Sequence, residues 1–331
     1  MNMTDFSRRQ GLAALASLVL TSGLALGSGT ALAQDAYPAK AVRFVNNFPP
    51  GGPSDLLARS VAAVLQESLK QSFVVENKAG AAGNIGAADV AKSPADGYTL
   101  LFGIDTTFTV NPHIYATMPF KRSDFRPVVV MASSGLLVGV NPATGIKTLA
   151  GMLEAARARP LNFSSAGSGT PGHLAVEVIT EATQARLVHV PYRGNTPAVT
   201  AVLSGEVDGG VLATPGMLPH VQTGKITALA VTSRQRSRLA PELPTVAEAG
   251  LKSLEQEVLY LVMAPAATPD AVVQTLQKHI LDALKRPDVQ ARMAGLDLFF
   301  EGLTGAAASQ RIDALYNRYG PIVKATGMKV E

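Results

Sequence analysis

The residues with the clearest chemical meaning are glycines and small hydroxyl residues placed where a β-branched apolar run gives way to a helical period. Phe48-Pro49-Pro50-Gly51-Gly52-Pro53-Ser54-Asp55 follows one such run and opens a helix read over 56–69. Adjacent glycines let backbone approach a ligand, and the first N–H groups of a helix point outward unpaired, so this turn suits an anion. Asp55 falls in the first helical turn, where it either compensates the helix dipole or meets a hydroxyl, an ammonium or a bridging water of the ligand. A second turn of the same kind, Ser165-Ala166-Gly167-Ser168-Gly169-Thr170-Pro171-Gly172, precedes a helix read over 173–181. A third, Asp105-Thr106-Thr107, adds hydroxyls able to bond a carboxylate oxygen. Together the three describe a cleft lined by N–H and O–H donors at the carboxyl ends of parallel strands.

Other chemistries find no pattern. Gly167, Gly169 and Gly172 have dinucleotide-fingerprint spacing, but the next strand runs into His189-Val190-Pro191-Tyr192-Arg193 and lacks the acid that would hold a ribose. No G-x-S-x-G elbow, G-K-[ST] loop or H-E-x-x-H helix occurs, and His113, His173, His189, His220 and His279 have no metal-ligand spacing. His173 reads as a helix-start cap or packing residue. No catalytic residue, cofactor site or metal site is assigned.

Positioning such turns requires strands that alternate with helices. Short apolar runs at 42–48, 73–76, 98–103, 136–140, 161–165, 187–191, 210–213, 226–231 and 258–263 alternate with helical segments, which predicts an α/β fold with mainly parallel sheets covered by helices. The clearest helix starts at Thr268-Pro269-Asp270, presents Val273, Leu276, Ile280 and Leu284 along one face, and stops before Pro287; a last helix is read over 306–319. Runs ending at Asn141-Pro142 and Ala264-Pro265 read as crossings between two lobes, which then comprise 37–138 plus 266–331, and 139–265.

At the start of the chain, Ser7-Arg8-Arg9 precedes an apolar run from Leu12 to Leu26, and Ala31-Leu32-Ala33 offers a small-residue cleavage site. Residues 1–33 are therefore expected to be an export signal, twin-arginine in type, with general secretion open because Gly11 stands where an apolar residue is usual. The mature chain then begins at Gln34 and has about 300 residues, enough for two lobes. With 0 Cys the full sequence has neither disulfides nor thiolate metal ligands, and its net charge of +4 is spread along the sequence, which gives nucleic-acid binding no support.

Segments 48–59 (FPPGGPSDLLAR), 77–86 (NKAGAAGNIG), 96–100 (DGYTL), 165–175 (SAGSGTPGHLA), 189–198 (HVPYRGNTPA), 241–250 (PELPTVAEAG) and 264–269 (APAATP) occur in this order. This order resembles the Bug-type (Bordetella uptake gene) receptors, the substrate-binding proteins of tripartite tricarboxylate transporters, over essentially the whole mature chain. The resemblance implies a periplasmic, monomeric, two-lobed binding protein of the type II-like fold with two crossover strands. It also implies a carboxylate held by backbone amides and ordered waters from residues 50–55 and 165–168, with Thr106, Tyr192 and Arg193 near the cleft. The candidate ligand contacts are thus Phe48, Pro50, Gly51, Gly52, Ser54, Asp55, Thr106, Ser165, Ala166, Gly167, Ser168, Tyr192 and Arg193. Partners implied are the permease subunits of such a transporter or, on an alternative reading, a sensor kinase. The family commonly has an acid after the Gly205-Glu206-Val207-Asp208 segment where this chain has Gly209-Gly210-Val211-Leu212-Ala213-Thr214-Pro215. An acid there could serve an ammonium group, so its lack favours an aliphatic or aromatic dicarboxylate.

Overall fold

The computed structural model describes residues 37–330, and the expected export signal lies outside them. One compact unit runs from Lys40 onward. It opens with β1 (Val42–Asn46), α1 (Pro53–Leu69), β2 (Phe73–Asn77), α2 (Asn84–Ala91), β3 (Thr99–Ile104), two one-turn helices α3 (Thr106–Thr109) and α4 (Asn111–Ile114), and the long β4 (Phe125–Ser134). Next come β5 (Leu136–Val140), α5 (Leu149–Ala158), β6 (Leu161–Ser165), α6 (Pro171–Thr183), β7 (Leu187–Pro191), α7 (Asn195–Ser204), β8 (Gly209–Ala213), α8 (Thr214–Gln222) and β9 (Thr227–Val231). The chain closes with β10 (Val258–Pro265), α9 (Asp270–Leu284), α10 (Pro287–Gly295), β11 (Phe299–Leu303) and α11 (Gly305–Thr326).

Two sheets result, ordered β11-β4-β10-β3-β1-β2 and β7-β6-β8-β5-β9. Both are mixed, which corrects the expectation of mainly parallel sheets. β1 pairs parallel with β2 and β3, and β6 with β7 and β8. By contrast β10 runs antiparallel to β3 and β4, β11 to β4, and β5 to β8 and β9. Two of the antiparallel strands are crossings: β5 and β10, on which the chain enters one sheet from the other, run against the direction of the βα units.

The same pairing moves the lobe boundaries. The chain leaves the first sheet between Ser134 and Leu136, a few residues before the expected 138/139 boundary. It returns just before Val258, because β10, expected in the second lobe, is bonded along its length to β4. β4 and β11 were absent from the sequence reading. Pro127 argues against a strand, but it sits at a register shift opposite Met263. β11 is similarly irregular, with a shift between Phe300 and Leu303.

Burial explains the layers. Helix α1 buries Leu57, Ala58, Val61, Ala62, Val64 and Leu65, the i, i+3, i+4, i+7 stripe of a core-facing helix. Each fully buried leucine or valine there contributes about 1.5–3 kcal/mol. Val42, Phe44 and Val45 of β1 and Leu100, Leu101 and Phe102 of β3 are fully inaccessible beneath the helices. Helix α9 buries Val273, Leu276, Ile280 and Leu284 as expected, although its N-cap is Pro269 and no hydroxyl caps it. The helices α1 and α6 share one entry device, proline at the first position behind Gly52 and Thr170.

Candidate functional site

In the first lobe, β1 delivers the chain to Asn47 and the 48–52 turn. Gly51 adopts φ +81°, and its N–H donates to Asp55 Oδ2 at 2.9 Å. Asp55 is buried; Asn77 Nδ2 donates to Oδ1 at 3.0 Å, and Arg59 reaches both oxygens at 3.0 and 3.2 Å. Burial pushes this carboxyl up, but the bonds from Arg59, the Gly51 N–H and Asn77 outweigh it and hold it below the usual range. Asp55 therefore spends its oxygens on shaping the turn. Ser54 does likewise, donating to Asn46 Oδ1 at 2.6 Å, while Asn46 and Asn77 both donate to the Phe48 carbonyl. Phe48 is half-buried and Pro50 exposed. Gly52 has an ordinary φ of −76°. The N–H groups of Gly52, Ser54 and Asp55 precede the first helical bond, Leu56 to the Gly52 carbonyl, and have no acceptor among the described residues.

Asn47, which the sequence reading passed over, ties this turn to its neighbours. It is fully buried, donates to the Gly83 carbonyl at 3.1 Å and Thr107 Oγ1 at 3.0 Å, and its Oδ1 has no partner. A Cβ at Gly83, Gly86 or Gly103 would come within 2.4, 2.7 or 2.2 Å of its side chain. Gly83 and Gly86 of the 77–86 segment, with Gly103, thus make room for one asparagine. The signal available in the sequence was the Asn46-Asn47 pair at a strand end. Asn47→Ala strands two partners and leaves a void; a loss of about 2 kcal/mol is expected in urea unfolding. Unchanged stability would show that the three loops hold themselves. Nearby, Thr106 is 2 % exposed with an unpartnered Oγ1, and Asn111 donates to the Ala82 carbonyl and Asn84 Oδ1 with its own Oδ1 unpartnered.

In the second lobe, β6 ends on Ser165, whose Oγ accepts from the Gly167 N–H at 3.1 Å and lies 2.6 Å from His189 Nε2. Gly167 has φ +135°, and its carbonyl accepts from Thr170 Oγ1 at 2.6 Å. The N–H groups of Ala166 and Ser168 have no acceptor among the described residues. Tyr192 N–H donates to the Ser165 carbonyl and Gly194 N–H to that of Ala166, so the segment after β7 braces this turn through its backbone. The Tyr192 hydroxyl instead donates to Glu206 Oε1 at 2.7 Å. Burial and that carboxylate push it up to about 12, so the phenol stays protonated. Arg193 is exposed and forms no ion pair among the described residues. At the end of β8 the Ala213 N–H is held by Asn195 Oδ1, and Thr214, 1 % exposed, has an unpartnered hydroxyl.

The two halves meet at Gly169. A Cβ there would lie 2.9 Å from Ala82 Cβ, 3.0 Å from Ile114 Cδ1 and 3.3 Å from Asn111 Oδ1, all in the first lobe. Gln256, just before the return to the first sheet, ties that segment to the 165–172 turn through a bond from Nε2 to the Pro171 carbonyl at 2.8 Å. Free backbone N–H groups and unpartnered hydroxyls thus stand at strand ends in both lobes. No group of three or more metal-binding side chains occurs among the described residues. The Ser165–His189 contact has the spacing of a nucleophile and base, but burial and the neighbouring His173 push His189 down to about 3, far too weak a base for a serine hydroxyl.

Comparison with known proteins gives the following. The family model for the tripartite tricarboxylate transporter family receptor, TctC, matches residues 57–328. BugT of Bordetella pertussis is 33% identical over 340 residues, covering 100% of both chains. The solved structure of Rpa4515 from R. palustris with adipate has a TM-score of 0.82 at 32% identity, over 88% of this chain and 99% of that one. The periplasmic binding protein BugD follows at 0.79 and 29%, over 89% and 100%. MatC from Rhodopseudomonas palustris with bound malate has 0.78 and 25%, over 87% and 100%.

Proposed function

The chain belongs to the tripartite tricarboxylate transporter receptor family, and from that premise we propose that it captures a small dicarboxylate, aliphatic or aromatic, between its 48–55 and 165–170 turns. It is a periplasmic, non-enzymatic solute-binding protein. The loaded form is delivered to the membrane permease of such a transporter. The observation that carries the reading is the pair of turns themselves: each offers free N–H groups at a helix start, and the two lie on opposite lobes that touch at Gly169. Adipate and malate in two relatives support the dicarboxylate class. Asp55 and Tyr192 serve the site by bracing its turns. Thr106 and Thr214, buried and unpartnered, supply hydroxyl donors from either lobe. With Ala213 at the end of β8, no acid there awaits an ammonium group.

A dicarboxylate at about 100 times its dissociation constant stabilises the fold by roughly 2.7 kcal/mol, a rise of about 5 °C in melting temperature for a chain of this size. Thermal-shift measurements with adipate, malate, succinate and terephthalate, against aspartate, glutamate and nucleotides, test it. A response to the amino acids or nucleotides alone would sink the dicarboxylate assignment.

A further inference from the structure

Loop 165–170 is held at both ends by one pair of imidazoles. Near its end, the Gly169 N–H donates to His173 Nδ1 at 3.1 Å. At its start, Ser165 Oγ lies 2.6 Å from His189 Nε2. The two rings stack on each other, centroids 3.8 Å apart and planes within 11°. His173 is 6 % exposed, and its Nε2 is 3.4 Å from Glu177 Oε1 one helical turn along. We propose that His173 is a positioning residue: its unprotonated Nδ1 holds the Gly169 amide, and with it the ligand turn, in the binding conformation, with His189 as its neutral stacking partner. The proposal rests on the reading that this turn meets the ligand.

Chemistry fixes the protonation state that such a role needs. A ring nitrogen that accepts from an amide carries no proton, so His173 must be neutral with its hydrogen on Nε2, directed at Glu177. A second proton has only Nδ1 to occupy, where it would turn an acceptor into a donor facing another donor. The resulting cation would also lie face to face with His189 and in the first turn of α6, where the helix dipole opposes it. Glu177 acts the other way. Among the other elements packed against α6, β6 and β8 carry no titratable side chain, and β7 carries His189. The 252–254 turn carries Lys252. On α11, Arg311 is paired with Glu257, and Arg318 is bonded to the carbonyls of Ser253 and Glu255. A proton on Nδ1 therefore releases Gly169, the residue that touches the opposite lobe.

The test uses the ligand-free full-length mature protein. Long-range nitrogen–proton NMR at pH 7.5 should find His173 as the Nε2–H tautomer. Amide-exchange protection at Gly169, referenced to Val45 in the first sheet, should fall at least tenfold from pH 7.5 to 4.5 in the wild type. His173→Asn, whose side-chain oxygen replaces Nδ1, should stay within threefold across that range, and His173→Leu should be unprotected at both pH values. An Nδ1–H tautomer, or the same pH profile in the wild type and His173→Asn, overturns the proposal. If His173→Leu does not fold, the tautomer and the Asn comparison still decide. Adipate and malate titrations run alongside separate the two readings. A correct tautomer and pH profile without binding of any carboxylate supports the positioning role and sinks the ligand assignment.

Discussion

Gly169→Leu is expected to yield a folded protein that no longer closes on a ligand. Gly169 combines a φ of +79°, an N–H bonded to His173, and a side-chain direction that runs into the opposite lobe. The atoms that a Cβ would strike, Ala82 Cβ at 2.9 Å and Ile114 Cδ1 at 3.0 Å, belong to the other lobe. Leucine there adds bulk that neither lobe accommodates internally, so the strain is relieved by holding the lobes apart. Within its own lobe the substitution costs about 1 kcal/mol for a left-handed non-glycine residue. Binding suffers more, because donors on the two turns can no longer reach one molecule together. At least a hundredfold loss of affinity, about 2.8 kcal/mol, is expected in calorimetric titration with whichever dicarboxylate stabilises the wild type. Small-angle scattering should show the variant with a larger radius of gyration that ligand does not reduce. Wild-type affinity in a folded Gly169→Leu protein would mean that this contact is not needed for capture.

What could be read from the sequence was local. The turns at 48–55 and 165–172 were legible because proline at a helix start, glycine before it and a hydroxyl beside it each have one backbone meaning. The alternation of strands with helices was equally legible, and so was the buried stripe of α9. What stayed hidden depends on partners far along the chain. β10 looks like any other apolar strand, and only its pairing with β3 and β4 assigns it to the first sheet. Asp55 could have faced a ligand or a helix start; Asn77 and Arg59 decide for bracing. Tyr192 stands in the segment that braces the 165–170 turn, yet its hydroxyl is taken by Glu206. Asn47 is marked in the sequence only by its place in an Asn pair at a strand end, and its role appears once Gly83, Gly86 and Gly103 close around it. His173 was read as a cap, and its distinctive feature, a ring stacked on His189, joins a helix to a strand.

Asp105→Asn should make the protein more stable at neutral pH, by up to about 3 kcal/mol. Asp105 is 0 % exposed and joins the start of the Thr106 turn to the strand that returns from the second lobe. Its N–H donates to the Leu259 carbonyl at 3.0 Å, and its Oδ1 accepts from the Leu259 N–H at 2.8 Å. Oδ2 accepts from Thr109 Oγ1 at 3.0 Å. These bonds, and the more distant Arg311, favour the ionised form, but burial wins and pushes the carboxyl up to about 6. An acid raised on folding binds more protons in the native state than in the unfolded one between about pH 4 and 6. Its contribution is therefore greatest at acid pH, falls as pH rises through that window, and is flat above it. His189, held down to about 3, contributes with the opposite slope between its folded value and the ordinary histidine value, so the wild-type curve alone mixes the two. The difference between wild type and Asp105→Asn isolates the carboxyl. Asparagine can keep the bond from Leu259 on its oxygen and donate from Nδ2 to Thr109 Oγ1, whose own hydrogen then turns to the Asp105 carbonyl 3.0 Å away. Urea unfolding of both proteins from pH 4 to 8 should give curves that meet near pH 4 and separate up to about pH 6, with the variant above. A variant less stable than wild type at pH 7.5, with a parallel pH profile, would mean that the carboxylate is stabilised where it lies and that charge helps to hold the return strand against the ligand turn.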